Sequence, residues 1–241
     1  MKTTFWRRFA DAHPVYLARY YWWAYLWRVG VWFFDHQLII NAILFGQYRV
    51  LSRCALRACT ENAPAGRFLQ LTCVYGNLTP ALMASTDVPL YLADVADIQL
   101  RLAKRKAGAG RLRLQTARMN AEYLAYSDNA FATLLIFFLL HEMPAAARQR
   151  TLDEVLRVLR PGGRLVITEY GPRPLRHWLW RVRPLRLLLL RLEPFLGDFW
   201  LQDLDASLKQ HARMHGKQIS LVDEFHWFAG FYRVCVFELD E

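Results

Sequence analysis

The residues best suited to bind a ligand are a glycine-containing turn and one aspartate. Tyr75-Gly76-Asn77 follows the apolar run Phe68–Val74 and precedes Leu78–Ser85, so a buried strand, a tight turn and a helix start are expected in succession. Asp94 ends the next apolar run. Helix N-termini after strands bind phosphate-like groups, and an acidic residue after the second strand commonly accepts ribose hydroxyls. The pattern predicts a site for a nucleotide-like ligand, although a plain strand-to-helix turn would have the same sequence.

The elements that would position this site alternate regularly from residue 67 onward. Strands are expected at 67–74, 88–94, 112–116, 131–140 and 164–170, and helices at 78–86, 96–107 and 145–159. Such βαβ alternation predicts an α/β fold, a doubly wound parallel sheet with helices on both faces. Residues 219–226 and 231–239 read as a terminal pair of strands. The expected units are an N-terminal aromatic helical cap, 1–62, and an α/β domain, 66–241.

The N-terminal cap is dense in aromatic residues. Residues 14–58 read as two helices that contain Tyr20–Trp27 and Val31–Phe34. No uncharged run there reaches the roughly 18–20 residues that a bilayer span needs, and Met1–His13 lacks the features of a signal peptide. Trp and Tyr at this density suit a helix at the headgroup level of a membrane or a helix buried against the core.

The charge of the chain favours an anionic partner. The formal net charge is +10 over 241 residues. An insertion at 174–200 holds a basic amphipathic helix, 175–192, interrupted near Pro184, which suits an anionic membrane surface or packs on the core. No stacking aromatics accompany basic strands in the core, so nucleic acid is not the expected partner.

The cysteines indicate a reducing compartment. Cys54, Cys59, Cys73 and Cys235 show no metal-ligand spacing, and the last two lie in apolar runs where free cysteine is common. With the basic helix, this composition predicts a cytoplasmic protein associated peripherally with the inner membrane.

Several segments resemble class I S-adenosylmethionine-dependent methyltransferases. Phe68–Thr79 stands where that family has its glycine-rich first motif, and Asn120-Ala121-Glu122 where an acidic residue usually contacts adenine. Leu156–Glu169, with Arg-Pro-Gly-Gly inside it, looks like the helix–turn–strand of quinone-pathway methyltransferases. The resemblance implies a Rossmann-like sheet and S-adenosylmethionine as co-substrate. The positions that it implies for binding are Gln70, Thr72, Val74, Tyr75, Gly76, Asn77, Asp94, Asn120 and Ala121.

The first motif departs from the family pattern. The family has an acidic residue and then three alternating glycines, whereas this chain has Gln70, Thr72, Val74 and Gly76. Side chains at the second and third positions would crowd the amino-acid end of the ligand. A missing carboxylate also removes negative charge near the ammonium group of the ligand. These departures disfavour ordinary methyl transfer.

Over nearly its full length the chain resembles the rhodoquinone biosynthesis group of methyltransferase-like proteins. The segments that carry this resemblance are Tyr21–Tyr25, Ala42–Tyr48, Leu71–Thr79 and His141–Pro144. It implies conversion of ubiquinone to rhodoquinone for anaerobic respiration, with a ring methoxy group replaced by an amino group from S-adenosylmethionine and with help from manganese. A quinone-pathway C- or O-methyltransferase and an inactive fold that binds lipid or nucleic acid are the alternatives.

That reaction makes specific demands on the residues. An attacking amine must be neutral, and a carboxylate at position 70 would raise its pKa, so Gln70 fits the demand. A hard divalent cation prefers oxygen ligands, with imidazole acceptable for manganese. The predicted ligands, each of which could instead be structural, are His141, Glu142, Glu169 and Asp198. The predicted catalytic residues are His141 and two tyrosines that could hydrogen-bond quinone oxygens or simply pack, Tyr75 and Tyr170.

Overall fold

A single seven-stranded sheet organises the chain in the computed structural model, which describes residues 5–10 and 13–240. The strand order is β3-β2-β1-β4-β5-β7-β6. The strands are β1 Phe68–Leu71, β2 Leu90–Asp94, β3 Leu114–Arg118, β4 Phe131–Phe137, β5 Leu159–Tyr170, β6 Ile219–Trp227 and β7 Tyr232–Leu239. Strands β1 to β5 pair in parallel, and β7 runs antiparallel to both of its neighbours. The predicted doubly wound α/β class is confirmed.

The helices connect the strands and also precede and follow them. They are α1 Val15–Tyr20, α2 Trp22–Tyr25, α3 Arg28–Phe34, α4 Gln37–Ile43, α5 Tyr48–Thr60, α6 Leu78–Ala84, α7 Asp97–Ala107, α8 Ala145–Val158, α9 Trp178–Arg181, α10 Arg183–Leu192, α11 Leu196–Phe199 and α12 Leu204–Met214. Short 3-10 turns occupy Phe5–Phe9, Gly108–Arg113 and Leu140–Glu142. Among the described residues, none of these helices combines the length and the apolar character that a bilayer crossing requires.

The N-terminal region is more broken than predicted. The expectation of two helices over residues 14–58 is wrong, because five helices occupy this stretch. Phe45 and Gly46 both have positive φ, at 50° and 80°, which ends α4 and turns the chain into α5. Helix α5 then packs on the sheet through buried Leu51 and Ala55. The prediction that Met1–His13 is not a signal peptide falls partly outside the described residues, which do not include 1–4 and 11–12.

Three further boundaries differ from the predictions. Strand β4 ends at Phe137 rather than Leu140, because Phe138 takes a positive φ of 55° and turns the chain. The segment 160–163, expected as a turn, is part of β5, where Leu159 pairs with Phe131 before a register shift. The break predicted near Pro184 falls at Val182, between α9 and α10.

The core surrounds the inner strands. Every residue of β1 and β4 is buried, as expected for parallel strands covered by helices on both faces. Since β1, β2, β4 and β5 are parallel, their carboxyl ends lie at one edge of the sheet. Polar residues that follow those ends are therefore brought together, and this edge carries the candidate site.

Candidate functional site

A crevice lies at the carboxyl ends of the strands. Of the predicted binding residues, Thr72, Asp94, Asn120 and Ala121 line it. The opposite wall comes from the N-terminal region, through Pro14, Tyr16, Leu17 and Tyr25. The free space is about 70 Å³, against roughly 300 Å³ or more for a ligand pocket. A nucleotide-sized ligand therefore needs more space than this crevice provides.

Gln70 stabilises the turn that follows β1 through two hydrogen bonds. It is fully buried, its amide nitrogen donates to the carbonyl of Thr72 over 3.0 Å, and its oxygen accepts from the Thr79 hydroxyl over 2.9 Å. Thr72 itself has a positive φ of 71°, a strained conformation for a β-branched residue. The side chain of Gln70 is thus committed to the turn and does not line the crevice, and its predicted contact with a ligand stays a prediction.

Gly76 is held by the chain's own residues. Its N–H donates to Asp35 Oδ1 over 3.1 Å, and Lys106 bonds both that carboxylate and the Gly76 carbonyl. The Tyr48 hydroxyl donates to the Tyr75 carbonyl over 2.8 Å and accepts from the Asn77 N–H over 2.9 Å. A Cβ at Gly76 would lie 2.5 Å from Tyr48 Cζ.

Gly76, the one glycine that the first motif retains, therefore leaves room for the Tyr48 ring of α5. Tyr75, Gly76 and Asn77, with Val74, lie outside the crevice lining. The predicted contacts of these four residues with a ligand stay predictions.

Tyr75 fastens helix α2 to the same turn. Its hydroxyl donates to the Ala24 carbonyl and accepts from Gln99 Nε2 over 2.8 Å, while its ring stacks on Tyr25 with centroids 5.7 Å apart. Burial is the main reason that the pKa of Tyr75 is raised above its usual value. The hydroxyl is thus engaged internally, and a catalytic role for it stays a prediction.

Asp94 and Asn120 face the crevice as the sequence predicts. The two carboxylate oxygens of Asp94 accept N–H bonds from Cys73 and Ala96, each over 2.7 Å. Burial raises the pKa of Asp94, and these two bonds oppose that rise. Asn120 is bonded to Glu122, through Nδ2 to Oε1 over 3.2 Å. An oriented aspartate after β2 and an amide after β3 fit the ribose and base of a nucleoside.

A buried histidine and two glutamates form a separate polar cluster beside the crevice. One ligand atom from each of His141, Glu142 and Glu193 lies within 4.8 Å of the others. His141 Nε2 is 3.7 Å from Glu193 Oε2, and Glu142 lines the crevice. The hydroxyls of Tyr21 and Tyr25 donate to Glu193 and Glu142, respectively. One imidazole nitrogen and two carboxylates suit a hard or borderline divalent cation.

Electrostatics in the cluster are unbalanced toward negative charge. Burial alone would lower the pKa of His141, but the charge and hydrogen bond of Glu169, with Glu193 and Glu142, raise it to about 9. Burial, then the neighbouring Glu193, raise the pKa of Glu142 to about 8, against the opposing effect of His141. Burial also raises the pKa of Glu193. A positive charge added near these carboxylates would favour their ionised forms.

The other two predicted metal ligands lie elsewhere. Glu169 is fully buried behind His141, where it accepts from His141 Nδ1 over 2.8 Å and from the Leu140 N–H over 2.7 Å. It orients the imidazole, as carboxylates commonly do for ligating histidines. Asp198 lies 3.4 Å from Arg148 and is outside the cluster.

Glu193 is the functional candidate that sequence reasoning missed. It lies just after α10 and is the only acidic residue between residues 170 and 197. A lone carboxylate in an arginine- and leucine-rich segment was the available signal. Its contact with Tyr21, 172 residues away, could not be read from spacing.

The loop that carries His141 and Glu142 is fixed from behind by Arg148. This fully buried guanidinium donates to the carbonyls of Leu140 and Met143, each over 2.9 Å. Tyr170, also buried, packs edge-on against the His141 ring with centroids 4.7 Å apart. Its predicted hydrogen bond to a quinone stays a prediction.

Comparisons with known proteins agree on the family. Residues 68–163 match the methyltransferase domain family. A demethylmenaquinone methyltransferase of Thermus thermophilus is 34% identical over 67% of this chain and 71% of its own length. A ubiquinone/menaquinone biosynthesis C-methyltransferase of Yersinia enterocolitica is 27% identical over 77% of this chain and 74% of its own.

Solved structures share the fold at low sequence identity. A phosphoethanolamine N-methyltransferase of Haemonchus contortus, bound to S-adenosylhomocysteine, gives a TM-score of 0.60 at 13% identity, over 93% of this chain and 59% of its own. The N-methyltransferase NodS of Bradyrhizobium japonicum, also bound to S-adenosylhomocysteine, gives 0.54 at 15% identity, over 80% and 87%. The [4+2]-cyclase SpnF gives 0.56 at 19%, over 78% and 80%.

Proposed function

This chain belongs to the class I S-adenosylmethionine-dependent methyltransferase family, and we propose that it transfers a group from S-adenosylmethionine to a quinone ring. The names of the two curated relatives, which concern menaquinone and ubiquinone synthesis, support the choice of a quinone as substrate. The residues that would hold the nucleoside are Asp94, Asn120 and Ala121, which already line the crevice.

The transferred group in our proposal is the amino group, so that a ring methoxy of ubiquinone is replaced and rhodoquinone results. The observation that carries this choice is the cluster of His141, Glu142 and Glu193 beside the crevice. The altered first motif adds support, because Gln70 and Gly76 are committed to internal contacts. A shared fold leaves the reaction open, since a cyclase is among the structures of this fold.

The chemistry explains why such a cluster would help. The ring carbon that bears the methoxy group is electrophilic, so its bond to nitrogen forms as its bond to oxygen breaks and methanol leaves. A proton then moves from Cα of the donor to a quinone oxygen, which converts the N–Cα bond into an imine and reduces the ring to the hydroquinone. Water hydrolyses the imine, so that the amino group stays on the ring of rhodoquinol, the reduced form of rhodoquinone, and the donor leaves as an α-keto acid. An attacking amine must be neutral, whereas a free α-amino group has a pKa of about 7.7–8.0. A divalent cation, which we propose to be manganese, would supply Lewis acidity toward a quinone oxygen if held by His141, Glu142 and Glu193. The Glu169 carboxylate keeps the imidazole oriented toward that position.

Methyl transfer to a ring carbon is the second candidate. It is favoured by the curated relatives, both of which are named as methyltransferases of quinone pathways. This reaction needs a ring carbon that bears a hydrogen, which a fully substituted ubiquinone ring lacks. The choice of quinone therefore separates the two candidates.

A quinone substrate also bears on location. A polyprenyl quinone resides in the bilayer, so we propose that the chain works at the cytoplasmic face of the inner membrane, where rhodoquinone would serve anaerobic respiration. The basic helices 178–181 and 183–192 support this placement through their composition.

A labelling experiment tests the proposal. The purified chain is incubated with Mn²⁺, S-adenosylmethionine labelled with nitrogen-15 in the amino group and carbon-13 in the methyl group, and one of two quinones. One is a ubiquinone analogue, and the other has a ring C–H. We expect a product from the ubiquinone analogue that has lost a methoxy group and gained nitrogen-15. Carbon-13 on the second quinone, with no nitrogen transferred to the first, would establish methyl transfer instead.

Two variants refine the test. Glu193→Gln should lower amine transfer because it weakens the cluster, whereas Asp198→Asn should leave it near that of the unchanged chain because Asp198 lies outside the cluster. Equal losses in both variants would argue against the proposed role of the cluster.

A further inference from the structure

Helix α10 has an apolar stripe that the core does not cover. None of its ten residues is buried. Leu185, Leu188 and Leu192 follow the i, i+3, i+7 spacing of one helix face and are 37%, 52% and 45% exposed. Leu187 is 55% exposed as well. A helix of a globular domain normally buries such a stripe, so this one is available for a partner.

The same segment holds a set of arginines without acidic partners. Within the described residues, no ion pair joins any arginine of segment 173–191 to a carboxylate; they are Arg173, Arg176, Arg181, Arg183, Arg186 and Arg191. Glu193, the acidic residue nearest along the chain, is turned inward to Tyr21. The segment therefore presents net positive charge beside its exposed leucines.

The exposed surface is anchored from behind. Leu179 of α9 is buried, and the Trp180 ring lies edge-on to Trp200 with centroids 5.2 Å apart. Trp200 in turn donates to the carbonyl of Gly171 over 3.0 Å, just after β5. The surface is thus fixed at the carboxyl-end edge of the sheet.

Aromatic residues from two other loops extend this surface. Trp178 is 52% exposed and lies edge-on to Phe228, at the tip of the β6–β7 hairpin. Phe228 stacks on Phe45, with ring centroids 5.5 Å apart, and Phe45 is 41% exposed at the α4–α5 turn. The rings of Phe45, Phe228 and Trp178 therefore link the α4–α5 turn and the hairpin to α9, which directly precedes α10.

We propose that α9 and α10, together with Phe45 and Phe228, form a docking surface for an anionic phospholipid bilayer. Leucine and tryptophan side chains insert at the headgroup boundary, while arginines reach lipid phosphates and acidic headgroups. A nucleic acid would use the arginines but leave the leucines without a role. A second copy of the chain would bring unpaired arginines against each other. The lipid surface is the occupant that satisfies both sets of residues.

Docking at this surface places the candidate site next to the bilayer. Glu193 directly follows α10 and belongs to the polar cluster with His141. The Tyr20 ring of α1 lies edge-on to Phe195, with centroids 5.4 Å apart, so the N-terminal wall of the crevice touches the same segment. Lipid binding itself does not depend on which group the chain transfers.

Vesicle flotation with charge variants tests the proposal. The purified chain is mixed with vesicles of phosphatidylcholine, alone or with phosphatidylglycerol, and its partition constant is measured at low and high salt. Arg183→Gln with Arg191→Gln should weaken binding to the anionic vesicles about 30-fold, from the usual contribution of an arginine near such a surface. The matched control, Arg67→Gln with Arg213→Gln, removes equally exposed charges at the opposite edge and should bind nearly as the unchanged chain does.

A second pair of variants tests the apolar contribution. Leu185→Gln with Leu188→Gln should lower binding at least about tenfold, since each leucine loses its burial in the lipid. Leu112→Gln with Met214→Gln, at residues 83% and 67% exposed near the opposite edge, is the control. Because α10 buries no residue, the α10 variants should keep the thermal unfolding midpoint of the unchanged chain.

Four outcomes would overturn the proposal. One is equal partition into neutral and anionic vesicles. Another is equal weakening by the control variants. The third is a dimer in sedimentation that the leucine variants abolish, which would identify a second copy as the occupant. RNA or DNA binding that survives the leucine changes, without vesicle binding, would likewise replace lipid by nucleic acid.

Discussion

Replacing Gly76 by alanine should destabilise the fold by about 2–5 kcal/mol. Gly76 has a φ of 79°, and a residue with a Cβ in this region costs about 1–2 kcal/mol. The new Cβ would also lie 2.5 Å from Tyr48 Cζ. Tyr48 is 2% exposed and held by two hydrogen bonds, so making room for the methyl adds about 1–3 kcal/mol of overpacking.

A matched glycine and a second substitution separate the two contributions. Gly46 has a φ of 80° with nothing within 4 Å of an added Cβ, so Gly46→Ala should cost only the backbone part, about 1–2 kcal/mol. In a Tyr48→Leu background the ring tip is gone, and Gly76→Ala should then cost about as much as Gly46→Ala. Urea unfolding of the variants gives these free energies as a double-mutant cycle.

The double-mutant cycle also tests whether Gly76 serves packing against Tyr48 or contact with a ligand. The reasoning is refuted if Gly76→Ala costs no more than Gly46→Ala, or if Tyr48→Leu leaves its cost unchanged. S-adenosylmethionine affinity, measured by calorimetry on the folded Gly76→Ala, Tyr48→Leu double variant, should differ little from that of Tyr48→Leu alone. If the double variant binds S-adenosylmethionine much more weakly than Tyr48→Leu does, Gly76 contacts the ligand, as the sequence predicts.

Three further predictions concern polar side chains. Arg148→Met should lower the unfolding free energy by about 2–5 kcal/mol, since two buried carbonyls of the preceding loop lose their donor; an unchanged urea midpoint would contradict this. Hydrogen bonding to Arg157 lowers the pKa of Glu154, so this pair stabilises the fold above the usual glutamate pKa and loses that effect as pH falls through the lower folded value. Glu154→Gln should therefore flatten the acid limb of stability against pH, and an unaltered limb would exclude the pair as its cause. Gln70→Glu places a carboxylate against the Thr72 carbonyl, so the pKa of the new residue should rise, unfolding free energy should fall as pH increases above about 4.3, and amine transfer should decrease; unchanged turnover would remove Gln70 from the mechanism.

The sequence alone determined the α/β architecture and part of the crevice. Continuous apolar runs between helical periods identified the strands, because parallel strands buried on both faces must be apolar throughout. Asp94 and Asn120 could be placed at the crevice for the same reason, since residues that follow parallel strands share one edge of the sheet. Position along a strand therefore translated directly into position in space.

Only the tertiary structure decided which side chains line the crevice. Gln70 occupies a motif position, yet its side chain is hydrogen-bonded to Thr79. Gly76 occupies another, yet its N–H donates to Asp35, and the Tyr48 ring fills the space that a Cβ would take. The direction of a side chain in a tight turn depends on neighbours from distant segments, and no local pattern encodes them.

The polar cluster shows the same limit more sharply. His141 and Glu142 were found because they follow a strand end, whereas Glu193 reaches them from the end of an inserted helix. Its position depends on how the segment that follows α10 packs against the N-terminal region, through contacts that span more than half the chain, such as Tyr21 to Glu193, 172 residues apart. Residue types along the chain predicted a histidine and carboxylates at this edge of the sheet, and packing between remote segments decided which of them come together.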